Sequence, residues 1–170
     1  RDSAAPGGGS VAALSGALGA ALGTMVANLS ISKSGFEKQK TTLTNIAQKG
    51  QDIKDKLIHA IDEDTSAFDQ VIKAMRMPKD TDNEKMARDI EMQKGYQIAT
   101  LVPLNTVKNC KEALEICYDI SKIMDDGMAS DVGSGAWMAN AGAISAAYNV
   151  RINLKSIKDI SFCDKTNKED

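Results

Sequence analysis

The chain has 170 residues, enough for one domain with a substantial buried core. Its 21 basic and 23 acidic residues nearly cancel and form no basic block, which excludes nucleic acid or an acidic membrane surface as an expected partner. Three cysteines without metal spacing and a single histidine, His59, argue against a disulfide framework, a His-rich metal site and a Ser-His-Asp triad, and they suit a reducing cytoplasm.

The chain opens on Pro6-Gly7-Gly8-Gly9-Ser10. Three glycines free the backbone for φ > 0 and a sharp turn, and Ser10 stands where an N-cap belongs. Two readings stay open: a cradle of free amides at a helix N-terminus, aimed at a carboxylate or phosphate, or a plain turn and cap. The run that follows, Val11 to Ser32, is uncharged and rich in small residues. Gly16, Gly19, Gly23 and Ala27 fall on one helical face, and Leu18, Leu22, Met25 and Leu29 on another, so a second helix can approach the glycine stripe closely. A second uncharged run, Val132 to Val150, has the same character. Both are long enough to cross a bilayer but poor in large apolar groups, and they read as buried partner helices, not membrane spans.

After a break at Ser32-Lys33-Ser34-Gly35, the apolar spacing predicts a second helix from about Phe36 to Met77. Its seam is Leu43, Ile46, Ile53, Leu57, Ile61, Phe68, Val71 and Met75, with Gly50 in phase, and Pro78 ends it. Thr81 and Glu84 have capping-box spacing for a third helix carrying Met86, Ile90, Ile98, Leu101 and Val102. Pro103 bends that helix without ending it, since the pattern resumes with Val107, Cys110, Leu114, Cys117 and Met124 up to Asp125-Asp126-Gly127. Ser130 and Asp131 open a fourth helix reaching about Ile157. Residues 1–160 form a single helical domain and 161–170 a polar tail. The fold class is all-α, an antiparallel up-and-down bundle of long helices.

One acid is out of place. Asp64 lies seven residues after Leu57 and seven before Val71, a core phase, and Asp62 lies at the edge of the same face. A carboxylate turned toward an apolar interior must be paired, hydrogen-bonded or protonated, and such groups suit acid–base chemistry. A structural network or the solvent boundary would explain the same spacing. Asn149 and Asn153, one turn apart, and Asn140 are polar groups in apolar company, suited to a polar heterocycle or to loop backbone. Lys33 and Lys38 border the end of the first helix, where they would attract an anionic tail or simply face solvent. His59 reads as a surface residue, Cys110 and Cys117 as core filler, and Trp137 and Tyr148 as core or as walls for a flat ring.

Six motifs in order carry a resemblance: Pro6-Gly-Gly-Gly-Ser10, the small-residue helix behind it, Asp62-Glu-Asp64 before Ala67-Phe68, Val102-Pro103-Leu104, Ser130-Asp131, and Tyr148-Asn-Val-Arg-Ile-Asn-Leu-Lys155. From Ala5 to about Asp159 the chain resembles the cyclodeaminase domain of formiminotransferase-cyclodeaminase and the stand-alone bacterial methenyltetrahydrofolate cyclohydrolases. Arg151 is a departure, since the two-domain relatives often have an apolar residue there. The resemblance implies a cyclodeaminase-like bundle that forms a homodimer, with a folate site built partly across the subunit contact and no metal or separate cofactor. It implies catalysis by Asp62 or Asp64, the core phase favouring Asp64; the candidate substrate contacts beside them are Gly7, Gly8, Gly9, Ser10, Lys33, Asp131, Asn149 and Asn153. The activities implied are hydrolysis of 5,10-methenyltetrahydrofolate to 10-formyltetrahydrofolate or, alternatively, cyclisation of formiminotetrahydrofolate with loss of ammonia. The first is favoured because the chain contains no formiminotransferase domain. A helical dimerisation scaffold without catalysis is the competing class.

Overall fold

The computed structural model describes residues 7–169; Pro6 and Asp170 lie outside them. Five helices follow one another: α1 (Gly8–Ile31), α2 (Lys40–Met75), α3 (Asp82–Ser121), α4 (Ala129–Leu154) and α5 (Ile160–Glu169). Single 3-10 turns at Glu37–Gln39 and Asp126–Met128 join α1 to α2 and α3 to α4. These short connections make successive helices antiparallel, giving the expected up-and-down bundle. Helix α1 packs on α2, α3 and α4, so the least polar helix lies at the centre. It is long and apolar enough to cross a membrane by length and composition, yet 61 % of its apolar window is buried within the bundle.

The glycine stripe explains how α1 and α4 meet. A Cβ on Gly19 would lie 2.6 Å from the Gly135 carbonyl oxygen, and one on Gly142 would lie 2.8 Å from that of Ala12. The two backbones touch, and side chains are excluded from the seam. Cys110 and Cys117 fill the space beside it, while Leu43, Ile53, Leu57, Ile116 and Ile120 form the larger-residue core between α2 and α3. Thr81 closes the capping box with Glu84, and α3 runs unbroken through Pro103.

Several expectations are corrected. Ser10 is not the N-cap of α1; Gly7 is, in an extended conformation with φ −90°. Gly35, between α1 and α2, has the only positive φ among the described residues, so the run at 7–9 does not serve an unusual backbone; space is what requires glycine, at Gly9 above all and less strictly at Gly8. Phe68 and Met75 are exposed, and Ala67 and Ala74 take their places in the α2 seam. Met86, Ile90, Ile98 and Leu101 are exposed too, because small residues bring α3 onto α2: a Cβ on Gly95 would lie 3.2 Å from Val71. Trp137 and Tyr148 are exposed rather than core. The stretch read as a polar tail carries α5, which seats Phe162 and Cys163 against Leu104, Leu154 and Ile157 and pairs Glu169 with Lys108.

Candidate active site

The site forms where the start of α1 crosses α2. In the α2 seam, Leu57 and Val71 are both buried and hold the helix against its neighbours. Asp64 shares their phase and is therefore directed at α1 instead of solvent, where it is half-buried. The first turn of α1 has amides without helical partners and no side-chain cap of its own. The Asp64 carboxylate supplies one. The Ser10 amide donates to Asp64 Oδ2 at 2.8 Å, and the Ser10 hydroxyl donates to the same oxygen at 2.9 Å. The positive end of the α1 dipole faces the same charge. A Cβ on Gly9 would lie 2.6 Å from Asp64 Cγ and 2.8 Å from Oδ2, so no side chain fits there. The glycine-rich start does cradle a carboxylate, and that carboxylate is the protein's own.

Helix α4 provides the facing wall. Asn149 Nδ2 donates to the Ser145 carbonyl at 2.8 Å, and Asn153 Nδ2 donates to the Ala99 carbonyl at 2.7 Å. Ala99 lies four residues before Pro103, so its carbonyl is the one that an interior proline leaves without a helical donor. Asn153 replaces the missing N–H from a neighbouring helix. Each amide nitrogen has one hydrogen engaged on backbone, so the two asparagines offer a ligand their carbonyl oxygens, which accept, and one further N–H each.

Between these walls is a cavity of about 560 Å³. It is lined by Gly7, Gly8 and Gly9, by Asp64, Thr65, Phe68 and Asp69 of α2, by Ala99, and by Asn149, Ile152 and Asn153 of α4. Among the described residues the lining has two carboxylates and no basic side chain. An acceptor-rich pocket of this kind, with an exposed aromatic ring at its edge, favours a flat ligand carrying positive charge or N–H donors. Among the described residues no group of three His, Cys, Asp or Glu side chains is placed to hold a metal ion.

The family model described as formiminotransferase-cyclodeaminase matches residues 1–170. The chain belongs to the formiminotransferase-cyclodeaminase family. It is 38 % identical to a protein named methenyltetrahydrofolate cyclohydrolase from Methylorubrum extorquens, over 96 % of this chain and 79 % of that protein. It is 37 % identical to the formimidoyltransferase-cyclodeaminase of Gallus gallus over 98 % of this chain, but spans only 31 % of that longer protein. A solved structure of formiminotetrahydrofolate cyclodeaminase from Thermotoga maritima superimposes with a TM-score of 0.88 at 27 % identity, covering 99 % of this chain and 80 % of that one.

Within this family fold, the residues singled out from the sequence fall into three places. Gly7, Gly8, Gly9, Ser10, Asp64, Asn149 and Asn153 come together at the cavity or directly behind it. Asp62 is exposed and absent from the lining. Lys33 pairs with Asp125 at 2.6 Å at the other end of α1, roughly 35 Å from Ser10 by helical rise. Asp131, in the first turn of α4, belongs to that far end as well. Thr65, Phe68, Asp69 and Ile152 were not singled out as site residues; the signal for Phe68 and Ile152 was one-turn spacing from Asp64 and Asn149, Thr65 is the neighbour of Asp64, and Asp69 lies one turn beyond Thr65. His59 lies in a separate polar cleft with Lys56, Glu63, Lys108 and Glu112, consistent with a surface role. Burial pushes the Cys110 thiol up to about 12 and the Cys117 thiol up to about 11, which removes both as nucleophiles near neutral pH.

Proposed function

We propose that this chain hydrolyses 5,10-methenyltetrahydrofolate to 10-formyltetrahydrofolate in the cavity between α1, α2 and α4, with Asp64 as the acid–base group. The observation that carries the reading is a carboxylate at a core position, fixed by Ser10, in a cavity whose lining among the described residues includes no basic side chain. The relative named methenyltetrahydrofolate cyclohydrolase, most of whose length this chain spans, supports the choice of reaction. The substrate is a delocalised amidinium cation, which the two cavity carboxylates attract. Water adds to the bridging carbon while Asp64 takes one of its protons. The carbon–N5 bond then breaks, and Asp64 returns that proton to N5. The remaining hydroxyl proton goes to solvent, and the formyl group stays on N10. Positioned proton transfer of this kind contributes about a hundred- to ten-thousandfold in rate. Folate is itself the substrate, so the reaction calls for no metal or second cofactor. A chain with free cysteines suits the cytoplasm.

A second reading, formiminotetrahydrofolate cyclodeaminase, is favoured by the likeness to the Thermotoga maritima structure of that name. There N10 attacks the formimino carbon, and the same carboxylic acid protonates the departing ammonia. One experiment separates the readings. Purified protein is given methenyltetrahydrofolate and, separately, formiminotetrahydrofolate, and the methenyl chromophore is followed. Loss of colour with the first supports the cyclohydrolase and gain with the second the cyclodeaminase. No change with either in folded protein leaves the scaffold.

The working unit is a homodimer formed through the outer face of α1 and α4. Val11, Leu14, Leu18 and Leu29 of α1 and Trp137, Ile144, Tyr148 and Ile152 of α4 are all exposed there, an apolar area beyond what scattered surface residues require. A two-fold copy laid antiparallel on this face would bring the Lys33 and Asp131 end of one subunit toward the Asp64 end of the other. Sedimentation tests it: Leu18→Lys with Ile144→Lys should give a monomer, and an unchanged mass would discard this face.

A further inference from the structure

Phe68 is an anomaly of α2. It continues the apolar seam in sequence, yet it is 47 % exposed, while Ala67 and Val71 beside it are buried and pack with Ala99 of α3. It belongs to none of the three hydrophobic clusters among the described residues. A large aromatic side chain left out of the core forgoes hydrophobic stabilisation, which the burial of a ligand recovers. Phe68 does line the catalytic cavity, and it is the one aromatic residue among the described residues of that lining.

Helix geometry sets its place there. Phe68 follows Asp64 by four residues, so the two side chains are neighbours on one face, with Cβ atoms roughly 5–6 Å apart. Long side chains in a helix lean toward its N-terminus and cover the preceding turn. This lean brings the ring toward the turn that holds Asp64 and Thr65, which lines the same cavity. Asp69 lies beside it in the chain, and Asn149 and Asn153 belong to the facing wall.

We propose that Phe68 is the specificity-determining residue for substrate charge: its π face holds the amidinium of the methenyl group and lets go once hydrolysis removes the charge. The inference rests on the folate reading above. Asp64 exchanges a proton with the water that attacks the bridging carbon, so that carbon lies within one water of the carboxylate. The positive charge is spread over the same carbon and its two nitrogens. A cation held there comes within about 6 Å of an aromatic ring one turn away, the range over which a ring quadrupole attracts it. The two acids would draw in a cation of any shape. The ring adds a preference for a flat one, because a planar delocalised cation can lie against its face. When the carbon–N5 bond breaks and the last hydroxyl proton goes to solvent, the charge is gone. The formyl product keeps the apolar contact with Phe68 but loses the electrostatic one, so turnover itself loosens the site.

The test compares wild type with Phe68→Leu, which keeps an apolar side chain without a π face, and Phe68→Tyr, which keeps the ring. The probes are 5,10-methenyltetrahydrofolate as substrate and 5,10-methylenetetrahydrofolate as competitive inhibitor. Both have the same fused five-membered ring, charged in the first and neutral in the second. In Phe68→Leu, kcat/KM for the cation should fall about three- to thirtyfold, while Ki for the neutral compound changes by less than about twofold. Phe68→Tyr should keep kcat/KM within about threefold of wild type. Equal losses for the charged and neutral compounds overturn the inference, because the ring is then only an apolar wall. So does an unchanged kcat/KM in Phe68→Leu, or a tyrosine variant as impaired as the leucine one. A Phe68→Leu protein that sediments as a monomer beside a dimeric wild type assigns the ring to the subunit contact and overturns it too. A folded wild type that is inactive on methenyltetrahydrofolate removes the cyclohydrolase reading, and this inference with it.

Discussion

Replacing Gly9 with alanine should destabilise a helix that alanine normally favours. Alanine exceeds glycine by about 0.8–1 kcal/mol in a helix interior, so propensity alone predicts a gain. The structure predicts the opposite sign, because the new methyl would lie 2.6 Å from Asp64 Cγ, and the carboxylate must leave its position on Ser10. Two charge-assisted bonds to a half-buried carboxylate and the cap they form are lost, worth roughly 2–4 kcal/mol once solvent access is allowed for. Offset by propensity, the net loss is about 1–3 kcal/mol, or a Tm lower by roughly 3–10 °C for a chain of this size. Turnover should fall about a hundredfold or more, since the acid–base group has moved. The decisive background is Asp64→Ala, where the space is open and Gly9→Ala should stabilise by up to about 1 kcal/mol. Thermal unfolding of the four proteins in this cycle, with methenyl turnover of wild type and Gly9→Ala, checks the reasoning. A stabilised, active Gly9→Ala protein, or the same effect in both backgrounds, refutes it.

Three further outcomes are expected. Asp64→Asn should leave stability within about 1 kcal/mol, since asparagine also caps well, while lowering kcat about a hundred- to ten-thousandfold; full turnover removes Asp64 from the mechanism. Asn153→Ala should cost about 1–3 kcal/mol in urea unfolding by stranding the Ala99 carbonyl; in a Pro103→Ala background the restored N–H should reduce that cost below about 1 kcal/mol, and simple additivity would show that the two residues are not coupled. Between about pH 9 and 11 the folded chain keeps the protons of Cys110 and Cys117 while the unfolded chain releases them, so the thiol contribution to stability is present below pH 9 and falls as pH rises. Alkylation of native protein near pH 8 should accordingly label Cys163 well before the buried pair, and equal rates at all three would contradict the packing.

The helices were legible because their signals are local. Thr81 with Glu84 marked the start of α3, and the run through Pro103 showed that the helix continues. Asp64 was legible because its phase between Leu57 and Val71 is periodic. What was misread depends on a neighbour. Ser10 has every mark of an N-cap, but its partner is a carboxylate 54 residues away, and no local rule anticipates that. Phe68 continues an apolar seam, yet the start of α1 leaves room for a cavity there, and alanine fills the seam instead. The role of Asn153 required knowing that α3 and α4 are adjacent at Pro103. Leu18 and Leu29 formed a clear stripe, but periodicity gives a stripe's existence and not its direction.

The contact between α1 and α4 also determines which mutations the fold tolerates. Most protein interiors fail when a side chain is trimmed and a void is left. Here the seam is already as small as amino acids allow, with the Gly135 carbonyl beneath Gly19 and the Ala12 carbonyl beneath Gly142. Failure comes from enlargement, through strain and the parting of two backbones. A saturation scan should therefore find the smallest residues of these helices the least replaceable and their leucines more forgiving, the reverse of an ordinary hydrophobic core.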